Sequence, residues 1–471
     1  MVALLLSVGM FVYLGIVGYA LVALTAGRPD DRLVLFSPTL GAAVVTLAVM
    51  FVNYLGVPVK SFGLPLAVFL LLVSIGIIAR TKYRVFSRSV YVIAGIVLAA
   101  LFLSGRPLLE FGFDWLSFAN SDMDTYVHGA ARIFEHGFLT GPQTATYVQN
   151  RDAVQVLYEL NVLLNNRSGV ENLLAFGMAA FGLDGYHTYM PLILALQSAL
   201  ICATTALVCG RATSSYVPLA TAAVAGASAL VTLGSDLQLI AQVAGLALMV
   251  AALSFLCTLD PRWPLRSFVG HAVLCAVPVA ALAAVYPEVV PVLAVAVALF
   301  FAVALLRRNV GFMKVITWFA AVGAVVLVLL NFHLSTCLNM IALTLKFGNA
   351  TGGPTKLFPQ YLVPSGVAHL FGLSPIALSL KEPVLSITIA LGLALLAVTV
   401  VAVVLMMIRQ QIAAFGCFAL LLVIVALARS QNGFGLYKAA MYLQPFLIPT
   451  LVRWWGDRSL SARPVPDIAP S

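Results

Sequence analysis

Long runs of apolar residues recur along nearly the whole chain of 471 residues, separated by short polar intervals. A helix of about 20 apolar residues is long enough to cross the hydrocarbon core of a bilayer. The pattern therefore predicts an all-α fold, a polytopic transmembrane helical bundle of about 13 spans. Their approximate ranges are 3–25, 34–56, 62–80, 89–105, 188–210, 215–234, 237–257, 268–286, 289–306, 312–334, 384–408, 412–428 and 436–452.

The distribution of Lys and Arg predicts the orientation, because basic residues are enriched in cytoplasmic loops. With the N-terminus outside, the inner loops and tail carry 16 basic residues against 5 acidic ones, and the outer face carries 10 against 12. The net charge of +9 therefore reflects the orientation of the chain in the membrane, and nucleic acid is not an expected partner. The expected location is a bacterial inner membrane, with the C-terminus in the cytoplasm and membrane lipids as partners.

The spans and the polar intervals predict six segments. The apolar segment 1–26 has no basic residue before Arg28, so it is expected to be a retained first helix and not a cleaved signal. In chain order the segments are N-terminal transmembrane helices (1–105), an outer loop (106–187), a transmembrane core (188–334), a second outer loop (335–383), C-terminal transmembrane helices (384–455) and a cytoplasmic tail (456–471).

The first outer loop contains the stretch that we expect to carry chemistry. Asp122 and Asp124 lie one residue apart, just before an amphipathic helix predicted over 125–137, and a second helix is predicted over 153–164. Apolar positions from Val127 onward share one side of the first helix, and Arg132 lies elsewhere. Both helices are expected to lie in the membrane interface.

Two interpretations of Asp122 and Asp124 remain open at this stage. A positioned carboxylate can take a proton from an attacking hydroxyl, and two carboxylates can offer oxygens to a divalent cation such as Mg²⁺ or Mn²⁺. Alternatively, Ser121 or Asp122 caps the helix that follows by accepting hydrogen bonds from its free backbone N–H groups.

The stretch reads Asp122-Met-Asp-Thr-Tyr126, then Ala130-Ala131-Arg132, then His136-Gly137-Phe138. This pattern resembles the first luminal loop of the GT-C superfamily, which comprises membrane glycosyltransferases that use polyprenyl-phosphate sugars. The resemblance implies that Asp122 is the catalytic base, that Tyr126 is the aromatic of the motif, and that a polyprenyl-phosphate-linked sugar is the donor. Met123 replaces a frequent Glu. The loop follows the fourth span, so the first three spans are an N-terminal addition to the family's architecture.

Further candidates for substrate binding lie elsewhere on the predicted outer face. Glu288 lies between two spans, where it can bind sugar hydroxyls or a cation or serve as a turn residue. Lys438 opens the last span, where it can pair with a lipid phosphate or reach the headgroups. Arg151, on the outer loop, is a further candidate for phosphate, and His128 completes the set beside Tyr126.

The resulting hypothesis is an inverting glycosyl transfer to a glycan, lipid or protein acceptor, with Asp122 as base and with Asp124 beside it. No G-x-x-x-x-G-K-[ST] loop is present, so no nucleotide-driven pump is indicated. Three alternatives remain: a transporter or flippase for a lipid-linked or anionic solute, an O-antigen-type polymerase or ligase, and a non-catalytic envelope-assembly scaffold. A transporter would concentrate ionisable residues at mid-membrane on broken helices.

Overall fold

A computed structural model describes residues 1–26, 30–81, 86–117, 121–141, 166–210, 216–260, 263–347, 361–374 and 380–461. All regular structure in these ranges is helical. The α-helices are α1 (Val2–Thr25), α2 (Asp31–Tyr54), α3 (Val59–Thr81), α4 (Arg88–Ser104), α5 (Pro107–Glu110), α6 (Ser121–His136), α7 (Gly169–Phe181), α8 (Gly185–Ala206), α9 (Tyr216–Ala227), α10 (Ala229–Asp236), α11 (Ile240–Leu256), α12 (Leu265–Val285), α13 (Val290–Leu306), α14 (Phe312–Leu330), α15 (Leu334–Phe347), α16 (Ser365–Leu370), α17 (Val384–Ile408), α18 (Ile412–Arg429) and α19 (Gly433–Ser461). Short 3-10 turns lie at Gly112–Asp114, Pro287–Val289 and Asn331–His333.

Within the described ranges, nine helical stretches are long and apolar enough to cross a membrane, or ten if α9 and α10, which meet at 45°, form one bent span. All coincide with predicted spans. The helices α4 and α11 also lie at predicted positions but are shorter, at 17 residues each. The expected class of an all-helical, multi-pass membrane protein is therefore confirmed.

The first two helices cross with their backbones in direct contact. A Cβ added at Gly18 would lie 1.8 Å from the carbonyl oxygen of Ser37, and one added at Gly41 would lie 1.8 Å from that of Leu14. Small residues at such a crossing let membrane helices approach closely enough for van der Waals packing to hold them together. No side chain larger than hydrogen fits at either glycine.

The centre of the bundle is formed by α8 and α11. Every residue of α11 is buried, and α8 is buried over nearly its whole length. A helix that is apolar on all sides must be surrounded by other helices, and α8 packs against α1, α2, α4, α9 and α11. These two helices form the scaffold around which the polar groups are arranged.

Polar contacts mark the two ends of the bundle. At one end, Arg32 donates to the Ser254 carbonyl oxygen (3.0 Å) and to the Thr258 hydroxyl (2.9 Å), which ties α2 to α11. At the opposite end, Lys60 forms an ion pair with Glu135 of α6 (2.5 Å). The N-terminus belongs to this second end, because Leu4 packs where a Cβ at Gly105 would lie.

The helix that carries the Asp pair differs in two respects from the expectation. It begins at Ser121, so Asp122 and Asp124 lie inside its first turn and not ahead of it. Arg132, expected on the polar side, is buried and donates to the carbonyl oxygens of Phe138 (2.7 Å) and Thr140 (3.1 Å). The reason is that the chain reverses directly after α6, and its carbonyl groups need donors.

Both predicted outer loops contain helices that hydropathy alone did not indicate. The interval 106–187 includes α7, which is apolar and buried along most of its length. The apolar stretch Phe312–Thr344 continues past the predicted end of its span at 334. The helix predicted over 153–164 lies outside the described residues.

Candidate functional site around Asp122 and Arg167

The first turn of α6 gives its two carboxylates different surroundings. Asp122 is partly buried, whereas Asp124 is exposed and accepts a hydrogen bond from the Tyr186 hydroxyl (3.0 Å). Carboxylates are favourable in the first turn of a helix because they face the positive end of its dipole. Residues two apart on a helix do not face each other, and so the two side chains serve different sites.

Arg167, directly before α7, connects the predicted site residues. Its guanidinium donates to the Tyr126 hydroxyl (3.0 Å), forms an ion pair with Glu288 and lies over the Tyr286 ring at 5.0 Å from its centroid. Asp122 lies one helical turn before Tyr126 and interacts with it electrostatically. Arg167, which the sequence did not single out, therefore brings three predicted residues into one cluster: Asp122, Tyr126 and Glu288.

The last helix reaches the same cluster through a pair of tyrosines. The hydroxyls of Tyr286 and Tyr442 are hydrogen-bonded, and their rings meet edge to face with centroids 5.9 Å apart. Tyr286 ends α12, and the turn Pro287–Val289 that follows presents Glu288. The cluster thus joins the first turn of α6, the segment before α7 and the end of α12 to α19.

The back of the site is closed by α8 and by the segment before α11. Tyr189 donates to the Gln238 carbonyl oxygen (2.5 Å), and the Gln238 amide donates to the sulfur of Met123 (3.0 Å). Tyr189 also interacts electrostatically with Asp122. Since both Tyr189 and Gln238 are buried, the first turn of α6 is fixed against the centre of the bundle.

Glu171, in the first turn of α7, is a buried carboxyl group in this cluster and is only 4% exposed. Burial raises its pKa to about 7, although a backbone N–H and the nearby Arg167 both act to lower it. Its Oε2 has no hydrogen-bond partner among the described residues. The helix α6 approaches it closely at Gly129, where an added Cβ would lie 2.8 Å from Glu171 Cγ.

Burial also raises the pKa of the Tyr126 hydroxyl, and the Arg167 guanidinium beside it partly offsets that effect. At neutral pH the Tyr126 hydroxyl is consequently protonated. It accepts from Arg167 and retains its own proton as a possible donor.

Two other predicted residues, His128 and Lys438, lie apart from this cluster. His128 is partly buried and meets Tyr186 edge to face, with ring centroids 6.3 Å apart. Lys438 lies over the Phe434 ring at 4.4 Å, one turn before Tyr442 on α19. Arg151 lies outside the described residues. Among the residues that are described, no three His, Cys, Asp or Glu side chains converge in a manner that would hold a metal ion.

An apolar cleft of about 400 Å³ lies on the other side of α19. Its walls come from α17, α18 and α19 and from the segment that includes α16; they include Tyr361, Val367, Leu396, Ile424, Leu436 and Ala440. The segment is fixed to α19 because the Gln444 amide donates to the Leu370 carbonyl oxygen (3.0 Å). The cleft has the size and apolar character of a pocket for a small hydrophobic ligand.

Comparisons with known protein families, with curated proteins and with solved structures give no match.

Sequence reasoning missed Arg167, Glu171 and Tyr442. A signal for Glu171 was present, because Ser168 followed three residues later by Glu171 has the spacing of a capping box. Arg167 and Tyr442 had no such signal, since their importance arises only from the approach of α7, α12 and α19.

Proposed function

We propose that this protein is a membrane glycosyltransferase, which moves a sugar from a polyprenyl-phosphate donor to an acceptor hydroxyl at the outer face of the membrane. In this arrangement the chain crosses the bilayer about 13 times, with α9 and α10 as one bent span and the N-terminus outside. The observation that carries the proposal is the cluster in which Arg167 and Tyr126 join Glu288 to the helix turn that bears Asp122.

The proposed chemistry is a single displacement. Asp122 accepts the proton of the acceptor hydroxyl, and the hydroxyl oxygen forms a bond to the anomeric carbon of the donor sugar. The bond from that carbon to the phosphate oxygen breaks, and polyprenyl phosphate leaves with the electron pair. Attack opposite to the leaving group inverts the anomeric configuration. Asp124 orients the first turn of α6 through its hydrogen bond with Tyr186.

Binding of a divalent cation remains a prediction, and the mechanism above does not use one. Asp122 and Asp124 point to different sides of α6, and Asp124 already accepts from Tyr186. These observations do not favour a Mg²⁺ or Mn²⁺ ion bound through both carboxylates. A chelator added to the transfer assay tests whether any cation is needed.

The surroundings of α19 support a lipid-linked donor. Leu436 and Ala440 line the apolar cleft, and Lys438 and Tyr442 lie on the same stretch of helix. Lys438 is two residues from Leu436 and from Ala440 and faces another side of α19, so a donor lipid whose chain lies in the cleft would cross α19 for its phosphate to pair with Lys438 as a point charge. The sugar attached to that phosphate would then extend toward Tyr442 and the Arg167 cluster.

Transport of a lipid-linked or anionic solute is the second candidate, and one observation favours it. Glu171 is buried and lies near the partly buried ion pair of Arg167 with Glu288, a grouping of ionisable residues that is also common in transporters. However, Glu288 lies in the turn between α12 and α13 and not in the middle of a broken span. Charges at helix ends on one face of the bundle favour surface chemistry over passage through the membrane.

The test measures release of polyprenyl phosphate, a product that is the same for every acceptor. Purified protein in lipid vesicles is given a panel of polyprenyl-phosphate hexoses with labelled phosphate, together with a crude envelope fraction as acceptor. We expect release by the wild-type protein and loss of release in Asp122→Asn. The matched control is Glu135→Gln, which alters an exposed carboxylate on the same helix. Equal release by Asp122→Asn and wild type would remove the assignment.

A further inference from the structure

Two buried carboxyl oxygens in the Arg167 cluster have no hydrogen-bond donor among the described residues. They are Oε2 of Glu171 and Oε2 of Glu288, neither of which has a hydrogen-bond partner among the described residues. Leaving a buried acceptor unpaired is destabilising, and more so if the group is charged. Buried unpaired groups call for a specific explanation.

Helix capping accounts for only one of the two carboxyl oxygens of Glu171. Its carboxyl group accepts from its own backbone N–H in the first turn of α7, whereas a complete capping box would use the backbone N–H of Ser168. One oxygen accepts this hydrogen bond. The second has no partner among the described residues, and Asn172 beside it donates to the Ser168 carbonyl oxygen (2.8 Å) and accepts from the Asn53 side-chain amide (2.9 Å). Capping therefore does not explain why a carboxylate, with two oxygens, lies at this position.

Arg167 donates to neither of these oxygens. One of its terminal nitrogens pairs with Glu288 and the other donates to Tyr126. The cluster thus has one guanidinium for the two carboxylates Glu171 and Glu288, with Asp122 nearby. A phosphate would add negative charge to a group that already has an excess of acceptors. The ligand that completes the site is therefore one that donates hydrogen bonds.

We infer that Glu171 and Glu288 bind the hydroxyl groups of the sugar carried by the donor lipid, and that Arg167 positions Glu288 for this contact. This inference rests on the proposed function and assigns a sugar subsite within it. The phosphate of the donor then lies outside the cluster, toward Lys438. Sites that hydrogen-bond a hydroxyl discriminate strongly against analogues that lack it, because their own polar groups are otherwise left unpaired.

The test compares binding of four probes that differ only in the sugar. Farnesyl phosphate and farnesyl phosphates linked to glucose, galactose or mannose are titrated against the detergent-solubilised full chain, and Kd is measured for each. We expect wild type to bind at least one sugar-linked probe about 10-fold more tightly than farnesyl phosphate. Glu171→Gln should lose most of that 10-fold gain and bind farnesyl phosphate with an unchanged Kd.

Glu171→Gln keeps an oxygen that can accept the backbone N–H, so it preserves the cap. If that variant fails to fold, Glu171→Asp provides a second test, since it keeps the charge but withdraws the oxygen by one methylene. The control is Glu135→Gln, which should bind every probe as wild type does. An equal loss for the sugar-linked and sugar-free probes, or no preference of wild type for any sugar-linked probe, would overturn the inference.

This binding experiment requires no transfer and no acceptor. If wild type prefers a sugar-linked probe but releases no polyprenyl phosphate, the sugar subsite is supported and the proposed transfer reaction is contradicted. The opposite result has two parts: transfer depends on Asp122, but Glu171→Gln binds the sugar-linked probes with the same preference as wild type. That result would support the reaction and overturn the sugar subsite.

Discussion

Replacing Glu171 by Gln should remove a specific dependence of stability on pH. Glu171 is 4% exposed, and burial raises its pKa from 4.5 to about 7 in the folded protein. In the unfolded chain the group ionises at its ordinary pKa. Between these two values the unfolded state releases its proton and the folded state keeps it, so folding becomes less favourable as pH rises.

The size of the effect follows from the shift. One pKa unit corresponds to 1.36 kcal/mol, so the change from 4.5 to about 7 amounts to about 3 kcal/mol of stability. That contribution is fully present below pH 4.5, falls progressively as pH rises, and is lost above pH 7. The pKa of about 7 already includes the lowering effect of Arg167 and of the backbone N–H in the helix of Glu171.

The assay measures equilibrium unfolding by a denaturing detergent in mixed micelles from pH 4.5 to 8, for wild type and Glu171→Gln. Other carboxylates titrate in both proteins, so the informative quantity is the difference between their free energies of unfolding. We expect wild type to lose about 3 kcal/mol relative to the variant across this range. For Glu135→Gln, whose carboxylate is in an exposed ion pair, the difference should stay within about 1 kcal/mol. A Glu171→Gln difference that stays flat, or rises with pH, would refute the argument from burial.

Further variants test the packing and the charges. Arg167→Ala leaves a buried carboxylate unpaired and should cost about 3 kcal/mol of unfolding free energy, whereas a loss below 1 kcal/mol would contradict the central role of this residue. Gly41→Ala should lower the melting temperature because its Cβ would meet a backbone carbonyl of α1 at 1.8 Å, whereas Gly9→Ala, with nothing within 4 Å, should not; equal effects would contradict the crossing. Lys438→Gln should weaken binding of farnesyl phosphate by about 10-fold, and Lys60→Gln should leave it unchanged.

The class of fold was predictable from the sequence because hydrophobic runs of membrane length have few alternative structures. The runs that became α1, α2 and α3 illustrate this, since each is a long helix close to its predicted position. The buried helix α7 was not predicted. Its 13 residues are too few for a span, and the polar residues around it made the whole interval look like a loop.

The candidate site was predictable only in part. Asp122, Tyr126 and Glu288 were selected from local patterns, and all three lie close to Arg167 or its contacts. Arg167 itself could not be selected, because an arginine before a helix has no meaning until its partners are known. Glu171 illustrates the same limit, since its pKa depends on burial by α6, which is not evident from the residues next to it in sequence.

The most direct test of the account is the rate of polyprenyl phosphate release from a labelled polyprenyl-phosphate hexose by Asp122→Asn. The account predicts a fall of at least about 100-fold relative to wild type, as expected for loss of a catalytic base, with Glu135→Gln unchanged. A release rate in Asp122→Asn within twofold of wild type would contradict the claim that this carboxylate accepts the proton of the acceptor.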